Sequence, residues 1–180
     1  MGFIGFGAIA QRVAKYLGGF DCSLIAYDPN INREAAKNLG VKEASIDELL
    51  PKADIVSLHL PAMPETIGMV NRDFFSKMKK DAVIVNTSRG PIINEQDLCD
   101  ALRSGTIAGA ALDVMAVEPP GKDNPLYAFE NVVLTPHCAW NTLEGSWRVA
   151  KEAAERVCEL RDGREIKKLV NANFLNNRES

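Results

Sequence analysis

Two rhythms of apolar residues alternate along this chain. Short continuous runs read as buried strands, and between them apolar residues return every three or four positions, as on one face of a helix. Phe3 and Ile4 open the series, and Ile9, Val13, Tyr16 and Leu17 then recur at helical spacing until Gly18-Gly19 stops them. The pattern predicts a second strand over 23–27, a short helix through Ala35, Ala36 and Leu39 closed by Gly40, and a brief strand from Val41. It then predicts a helical turn at 46–50 behind Ser45, a buried strand over 54–60 ended by Pro61, and helix in two pieces over 66–78. Strands follow at 82–86, 107–114 and 132–134, with an Asn94-capped helix carrying Leu98, Ala101 and Leu102 between the first two, and a long amphipathic helix over 143–161 comes last. Repeated strand and helix units of this kind imply an α/β fold: a doubly wound, mostly parallel sheet with helices on both faces and right-handed crossovers.

In such sheets ligands sit at the carboxyl ends of the strands. That rule gathers residues 5–9, Asp28, 59–61, 87–90, 113–118 and His137 onto one rim. The first of these segments is Gly5-Phe6-Gly7-Ala8-Ile9-Ala10, a G-x-G-x-x-A turn between strand and helix. Gly5 allows the tight turn, Gly7 lets a pyrophosphate approach the main chain, and Ala10 is small enough for helix and strand to pack closely. A phosphate would rest on the N–H groups of Ala8 and Ile9, at the positive end of the helix dipole. Alone, the glycine pattern could serve many tight turns. Here it sits in register with a strand, a helix, a second strand and the carboxylate of Asp28, about 20 residues on, the reach of an acid that binds an adenosine ribose diol. A carboxylate there also repels a 2′-phosphate, which favours NAD over NADP. The fold expected is therefore Rossmann-type.

Composition narrows the partners. Hydrophobic residues make up 46% of the 180 and charged residues 25%, near the averages for soluble domains, and the net charge of −3 gives no electrostatic case for nucleic acid or an anionic membrane. No apolar run approaches the length of a membrane span, and the N-terminus lacks the basic flank and cleavage site of a signal peptide. The four cysteines, at 22, 99, 138 and 158, form no C-x-x-C pair, so neither a metal site nor a disulfide framework is expected, and reduced thiols in a cytoplasm are the default.

Three rim residues suggest chemistry. Arg89, in the turn Asn86-Thr87-Ser88-Arg89-Gly90, can hold a carboxylate with two parallel hydrogen bonds and cannot lose its proton; the bland alternative is a surface ion pair. His137, one of only two histidines, follows the last strand, and Glu118 stands on the neighbouring loop. An imidazole oriented by a carboxylate is an acid–base pair, though a partly buried histidine and a loop cap would look the same in sequence. With the nucleotide turn, these parts describe hydride transfer at a carbon bearing oxygen: Arg89 anchors a substrate carboxylate and His137 exchanges a proton with the carbonyl or hydroxyl oxygen.

At this point the chain resembles the NAD-binding domain of the D-isomer-specific 2-hydroxyacid dehydrogenases, which include D-3-phosphoglycerate, glycerate and D-lactate dehydrogenases and the C-terminal binding protein corepressors. The motifs are GFGAIA, YDP, HLP with PET, NTSRG, ALDV, VEPP, NPL, and LTPH with AW, and they cover about residues 2–161. The resemblance implies that Arg89 binds the substrate carboxylate and that Glu118 with His137 is the acid–base pair. It also implies that Asp113 binds the nicotinamide carboxamide, that Leu60, Pro61, Thr87 and Ser88 line the cofactor with Thr66 nearby, and that Trp140 forms an aromatic wall. Ala10 for glycine and Ala8 where many members carry arginine are departures, but neither removes a main-chain donor. Members of the family carry a substrate domain that begins before this one. The chain is thus expected to be an NAD-binding domain over 1–164, with a tail over 165–180 that would return to that substrate domain, inactive by itself. A homodimer through residues 103–125 and the neighbouring helices is implied as well. The alternative is an NAD-sensing dimeric interaction module of the corepressor type.

Overall fold

The computed structural model describes residues 1–164, in two units: 1–139 and the part from Trp140 onward. In the first unit the strands are β1 (Gly2–Ile4), β2 (Leu24–Tyr27), β3 (Val41–Glu43), β4 (Ile55–Leu58), β5 (Val83–Asn86), β6 (Gly109–Leu112) and β7 (Val132–Leu134). All pair in parallel, in the order β3-β2-β1-β4-β5-β6-β7. The chain reverses direction across the sheet between β1 and β4, the switch point at which doubly wound sheets open a crevice.

The crossovers carry α1 (Ala8–Leu17), α2 (Arg33–Asn38), α3 (Ile46–Leu49), α4 (Arg72–Lys77) and α5 (Glu95–Arg103). Alternation within each strand divides the apolar residues into two cores. Phe3, Leu24 and Ala26 pack with Ala10 and Ala14 of α1 and Ala36 of α2. Ile4, Val56, Leu58, Ile84 and Leu112 face the other way, onto Leu49, Phe74, Phe75, Leu98 and Leu102. Each such side chain, fully withdrawn from water, contributes about 1.5–3 kcal/mol, so strands of only three or four residues are held by what lies above and below them. Local chemistry fixes where helices begin. Asn32, Ser45, Asn71 and Asn94 each accept a backbone N–H from the first turn that follows, and Ser45 with Glu48 completes a reciprocal capping box.

The register sets the site. Tyr27, Ile4, Leu58, Asn86, Leu112 and Leu134 lie in one row across the sheet. The residues that follow them therefore leave the sheet along one rim, with neighbouring strands about 4.8 Å apart.

Three expected elements are shorter or different. The strand predicted over 107–114 pairs only as Gly109–Leu112, and that over 54–60 only as Ile55–Leu58. Of the helix predicted over 66–78, only α4 forms. Residues 64–68 are turns, Gly68 has φ +67°, and Val70 pairs with Ile93 as an isolated bridge. The Gly68 N–H goes to Pro91 O, so backbone groups that a helix would have used are spent on the neighbouring segment.

In the second unit, α6 (Leu143–Arg161) starts behind Thr142, whose hydroxyl accepts the Gly145 N–H at 2.9 Å. The expected tail over 165–180 lies outside the described residues. Among the described residues no helix is long and apolar enough to cross a membrane, and no group of His, Cys, Asp and Glu could hold a metal ion.

Candidate functional site

The glycine turn has two glycines with different surroundings. Gly5 has φ +88°, and a β-carbon on it would stand 2.5 Å from His59 O, so β1 and β4 close on it. A β-carbon on Gly7 would meet nothing within 4 Å; it would project into open space at the start of α1. The Gln11 N–H bonds to Gly7 O, which leaves the N–H groups of Ala8, Ile9 and Ala10 at the helix opening without an intrahelical acceptor. A main-chain approach for a phosphate therefore exists. From this point a groove of about 500 Å³ runs past Ala8 and Ile9, His59 to Ala62, and Thr87 to Arg89.

Asp28, at the end of β2, is half-buried. Its Oδ2 accepts the Phe6 N–H at 2.8 Å and its Oδ1 the Asn30 N–H at 2.8 Å. It thus braces the glycine turn, and each oxygen retains a lone pair that could accept a ribose hydroxyl. The Thr66 hydroxyl donates to Pro61 O at 2.6 Å and accepts the Met63 N–H at 2.8 Å, which pins the turn that carries Pro61 along the groove. His59 faces Phe3, with ring centroids 5.8 Å apart, and its Nε2 is 3.0 Å from Ser57 Oγ. Burial pushes its pKa below the ordinary histidine value.

Arg89 follows β5 on a loop organised by the buried Asn86. The Asn86 side chain donates to Arg89 O at 3.0 Å and accepts from both the N–H and the hydroxyl of Ser88. The exposed guanidinium donates to Ser88 O at 2.6 Å and, among the described residues, makes no ion pair.

After β7 the chain turns through Thr135-Pro136 to His137. Asp113, 4% exposed at the end of β6, holds this turn: its Oδ1 accepts from Thr135 Oγ1 and the Cys138 N–H, and its Oδ2 from the Ala139 N–H. Burial raises the Asp113 pKa, but these three donors outweigh it and leave the carboxyl below its usual range. The His137 N–H donates to Asp113 O at 2.8 Å, and His137 has φ +50°, an uncommon conformation for a side-chain-bearing residue. His137 Nδ1 lies 2.7 Å from Glu118 Oε2, while Glu118 Oε1 accepts the Met115 N–H. The imidazole, and after it the Met115 N–H, hold the Glu118 carboxyl below the usual range. The side chains are 43% and 36% exposed, so solvent screens the pair and it adds little to stability. Its geometry suits proton exchange better. Beside it lies an apolar cavity of about 350 Å³ walled by Pro119, Pro120, Tyr127, Leu134 and Pro136.

The rim therefore carries Asp28, the glycine turn, His59, Thr87, Arg89, Asp113 and His137 in strand order. Arg89 and His137 leave strands two places apart, roughly 10 Å at the backbone, a span that one long arginine side chain and a small acid could fill. Trp140 begins the second unit, and its side chain is exposed. Sequence reasoning assigned no task to Asn86, Thr135 or Glu95. The Asn-x-Ser after a strand is an Asx-turn signal that would have drawn attention to the first. Glu95 accepts the Ala116 N–H at 2.7 Å from 21 positions away, and no local pattern announces it.

The chain resembles known proteins over most of its length. Residues 1–139 match the model of the D-isomer specific 2-hydroxyacid dehydrogenase family, NAD binding domain. The chain is 39% identical over 170 residues to a D-3-phosphoglycerate dehydrogenase of Archaeoglobus fulgidus, covering 94% of this chain and 32% of that protein. It is 42% identical over 163 residues to a hydroxypyruvate reductase of Blautia hydrogenotrophica, covering 91% and 50%. It thus spans about a third of the first relative's length and half of the second's. A D-lactate dehydrogenase with NAD+ from Lactobacillus jensenii superposes with a TM-score of 0.86 at 30% identity, over 94% of this chain and 54% of that one.

Proposed function

The chain belongs to the D-isomer specific 2-hydroxyacid dehydrogenase family as its NAD-binding domain, and on that premise we propose that it serves hydride transfer between NAD and a D-2-hydroxy acid or its 2-keto acid. The observation that carries the reading is the 2.7 Å hydrogen bond between His137 Nδ1 and Glu118 Oε2, on the same rim as the glycine turn and Arg89.

In this reading the N–H groups of Ala8 and Ile9 receive the pyrophosphate, with Gly5 and Gly7 making room for it, and Asp28 receives the adenosine ribose. Leu60, Pro61, Thr87 and Ser88 line the groove, and Thr66 holds its wall in place. Asp113 has about one lone pair left after its three donors, enough to orient a carboxamide N–H. A bound nicotinamide supplies hydride chemistry that no side chain has. Arg89 holds the substrate carboxylate by a two-point contact. With Nδ1 committed to Glu118, His137 Nε2 exchanges the proton with the substrate oxygen, donating it when a keto acid is reduced and accepting it when a hydroxy acid is oxidised. Trp140 is assigned to the substrate's surroundings on resemblance alone.

The relatives named for D-3-phosphoglycerate and hydroxypyruvate make the glycerate and phosphoglycerate types the substrates to try first. The proposal extends to a homodimer through residues 103–125 and the neighbouring helices, to a cytoplasmic setting, and to residues 1–164 as a cofactor domain that needs a substrate domain for turnover. NAD titration of this chain, with NADH oxidation assays on it and on a longer form of the relatives' length, tests the reading. Tight NAD binding by the chain and turnover of hydroxypyruvate, phosphohydroxypyruvate, glyoxylate or pyruvate by the longer form are expected. No NADH consumption with any of the four would sink it. Light scattering at micromolar concentration reads the dimer directly.

A further inference from the structure

The loop that carries Glu118 is tied at both ends to one side chain outside the site. Glu95, the first residue of α5, accepts the Ala116 N–H on Oε1 at 2.7 Å and the Asn124 side-chain amide on Oε2 at 3.4 Å. Between those two tethers runs the excursion 116–124, exposed over Ala116 to Pro119, in which Glu118 turns back to accept the Met115 N–H and to meet His137. Asn124 in turn accepts the Leu126 N–H and starts the 3-10 turn Pro125–Ala128. Among the described residues the remaining hydrogen bonds of the excursion are local: Asn124 N–H with Gly121 O, and the Tyr127 N–H with Asn124 O. An exposed loop with so few internal ties keeps its shape only if its ends are fixed, and a carboxylate receiving two N–H donors is among the stronger ways to fix them.

We propose that Glu95 is a positioning residue for the acid–base pair: by holding Ala116 and Asn124 it sets the loop from which Glu118 orients His137. This rests on the reading of His137 and Glu118 given above. The competing role for Glu95 is purely local, a negative charge at the amino end of a helix. The two roles differ in what they need. Positioning needs an acceptor at the distance of Ala116 N–H, which glutamine keeps and aspartate, one methylene shorter, does not. A helix-end charge is kept by aspartate and lost by glutamine.

The test uses the 180-residue chain with Glu95→Asp, Glu95→Gln and Glu95→Ala. Only two histidines are present, so the downfield Nδ1–H proton signal of the His137–Glu118 bond can be assigned in the NMR spectrum by its loss in Glu118→Gln. Amide exchange of Ala116 reads the tether itself. The proposal expects Glu95→Asp and Glu95→Ala to speed Ala116 exchange by roughly ten- to a hundredfold, the size of one hydrogen bond to a charged acceptor, and to broaden or remove the His137 signal. Glu95→Gln keeps the signal. If Glu95→Ala does not fold, Glu95→Asp, which preserves the helix-end charge, carries the comparison. An unchanged signal and unchanged Ala116 exchange in Glu95→Asp overturn the proposal, and so does loss in Glu95→Gln with retention in Glu95→Asp. A wild-type chain without the downfield signal overturns the acid–base reading itself, a failure separable from that of Glu95.

Discussion

Gly90 and Met115 touch main chain to main chain: a β-carbon on Gly90 would stand 1.9 Å from Met115 O. The residue after Arg89 thereby abuts the residue that donates to Glu118. The proposed anchor for a substrate carboxylate and the loop of the proposed acid–base pair share one contact that only glycine permits. Gly90→Ala must push two backbones apart, and because no flexible side chain can yield, we expect a loss of about 3 kcal/mol or more. Thermal unfolding of the variant, with the wild-type chain alongside, measures it.

The two glycines of the nucleotide turn should fail differently. Gly5→Ala combines a positive φ with a clash on His59 O, and about 2–5 kcal/mol of stability should go with it. Gly7→Val has open space in which to place its side chain, so its melting temperature should stay within a few degrees of wild type. That open space is where a pyrophosphate would approach, and NAD affinity should fall by at least about tenfold, since 1.4 kcal/mol of lost contact suffices. Calorimetric titration beside a melting curve separates the two outcomes.

On a longer form that turns over a keto acid, His137→Gln and Glu118→Gln should each lower kcat by roughly 10²- to 10⁴-fold, the range of general acid–base catalysis. Arg89→Lys keeps the charge but loses the planar fork, and its main effect should fall on KM. Steady-state kinetics with hydroxypyruvate reads all three. A Glu118→Gln enzyme with wild-type kcat would remove that residue from the chemistry.

Acid should weaken the fold in two stages. His59 is held neutral by burial, below its ordinary value; a depressed base contributes stability that is complete above about pH 6.5 and is lost as pH falls through its folded value. The buried Asp113 is also depressed, so its contribution is complete above about pH 3.9 and is lost lower still, with little added by the solvent-screened Glu118. Urea midpoints measured from pH 8 to pH 3 should fall throughout. His59→Asn should flatten the upper stage and leave the lower one.

Much of this arrangement is legible in the residues alone. The runs read as strands at Phe3-Ile4, 54–60, 82–86 and 132–134 are each flanked by a turn and too short for a helix, and a strand forms at each. The parallel order follows from the intervening helices, and the rim then follows from the rule for strand ends. What escaped is tertiary. Ile67, Val70 and Phe74 keep a helical period, yet Val70 pairs with Ile93 and Gly68 takes a positive φ, so a distant strand segment won over a local helix. Asp28 and Asp113 read as ligand acids, and both also fasten backbone turns through N–H groups 22 to 26 positions away. A linear pattern signals that a carboxylate stands at a strand end; it does not signal which distant amides will claim it.

Asp28 shows where such double duty leads. The oxygen that would turn away a phosphorylated ribose is the same one that steadies Phe6 in the middle of the glycine turn. Swapping the acid for a neutral or basic residue to recruit the other coenzyme would therefore loosen the pyrophosphate cradle in the same stroke. Evolution or engineering that re-tools this pocket must find Phe6 a new acceptor, and a change of coenzyme preference should arrive as a pair of substitutions, seldom as one.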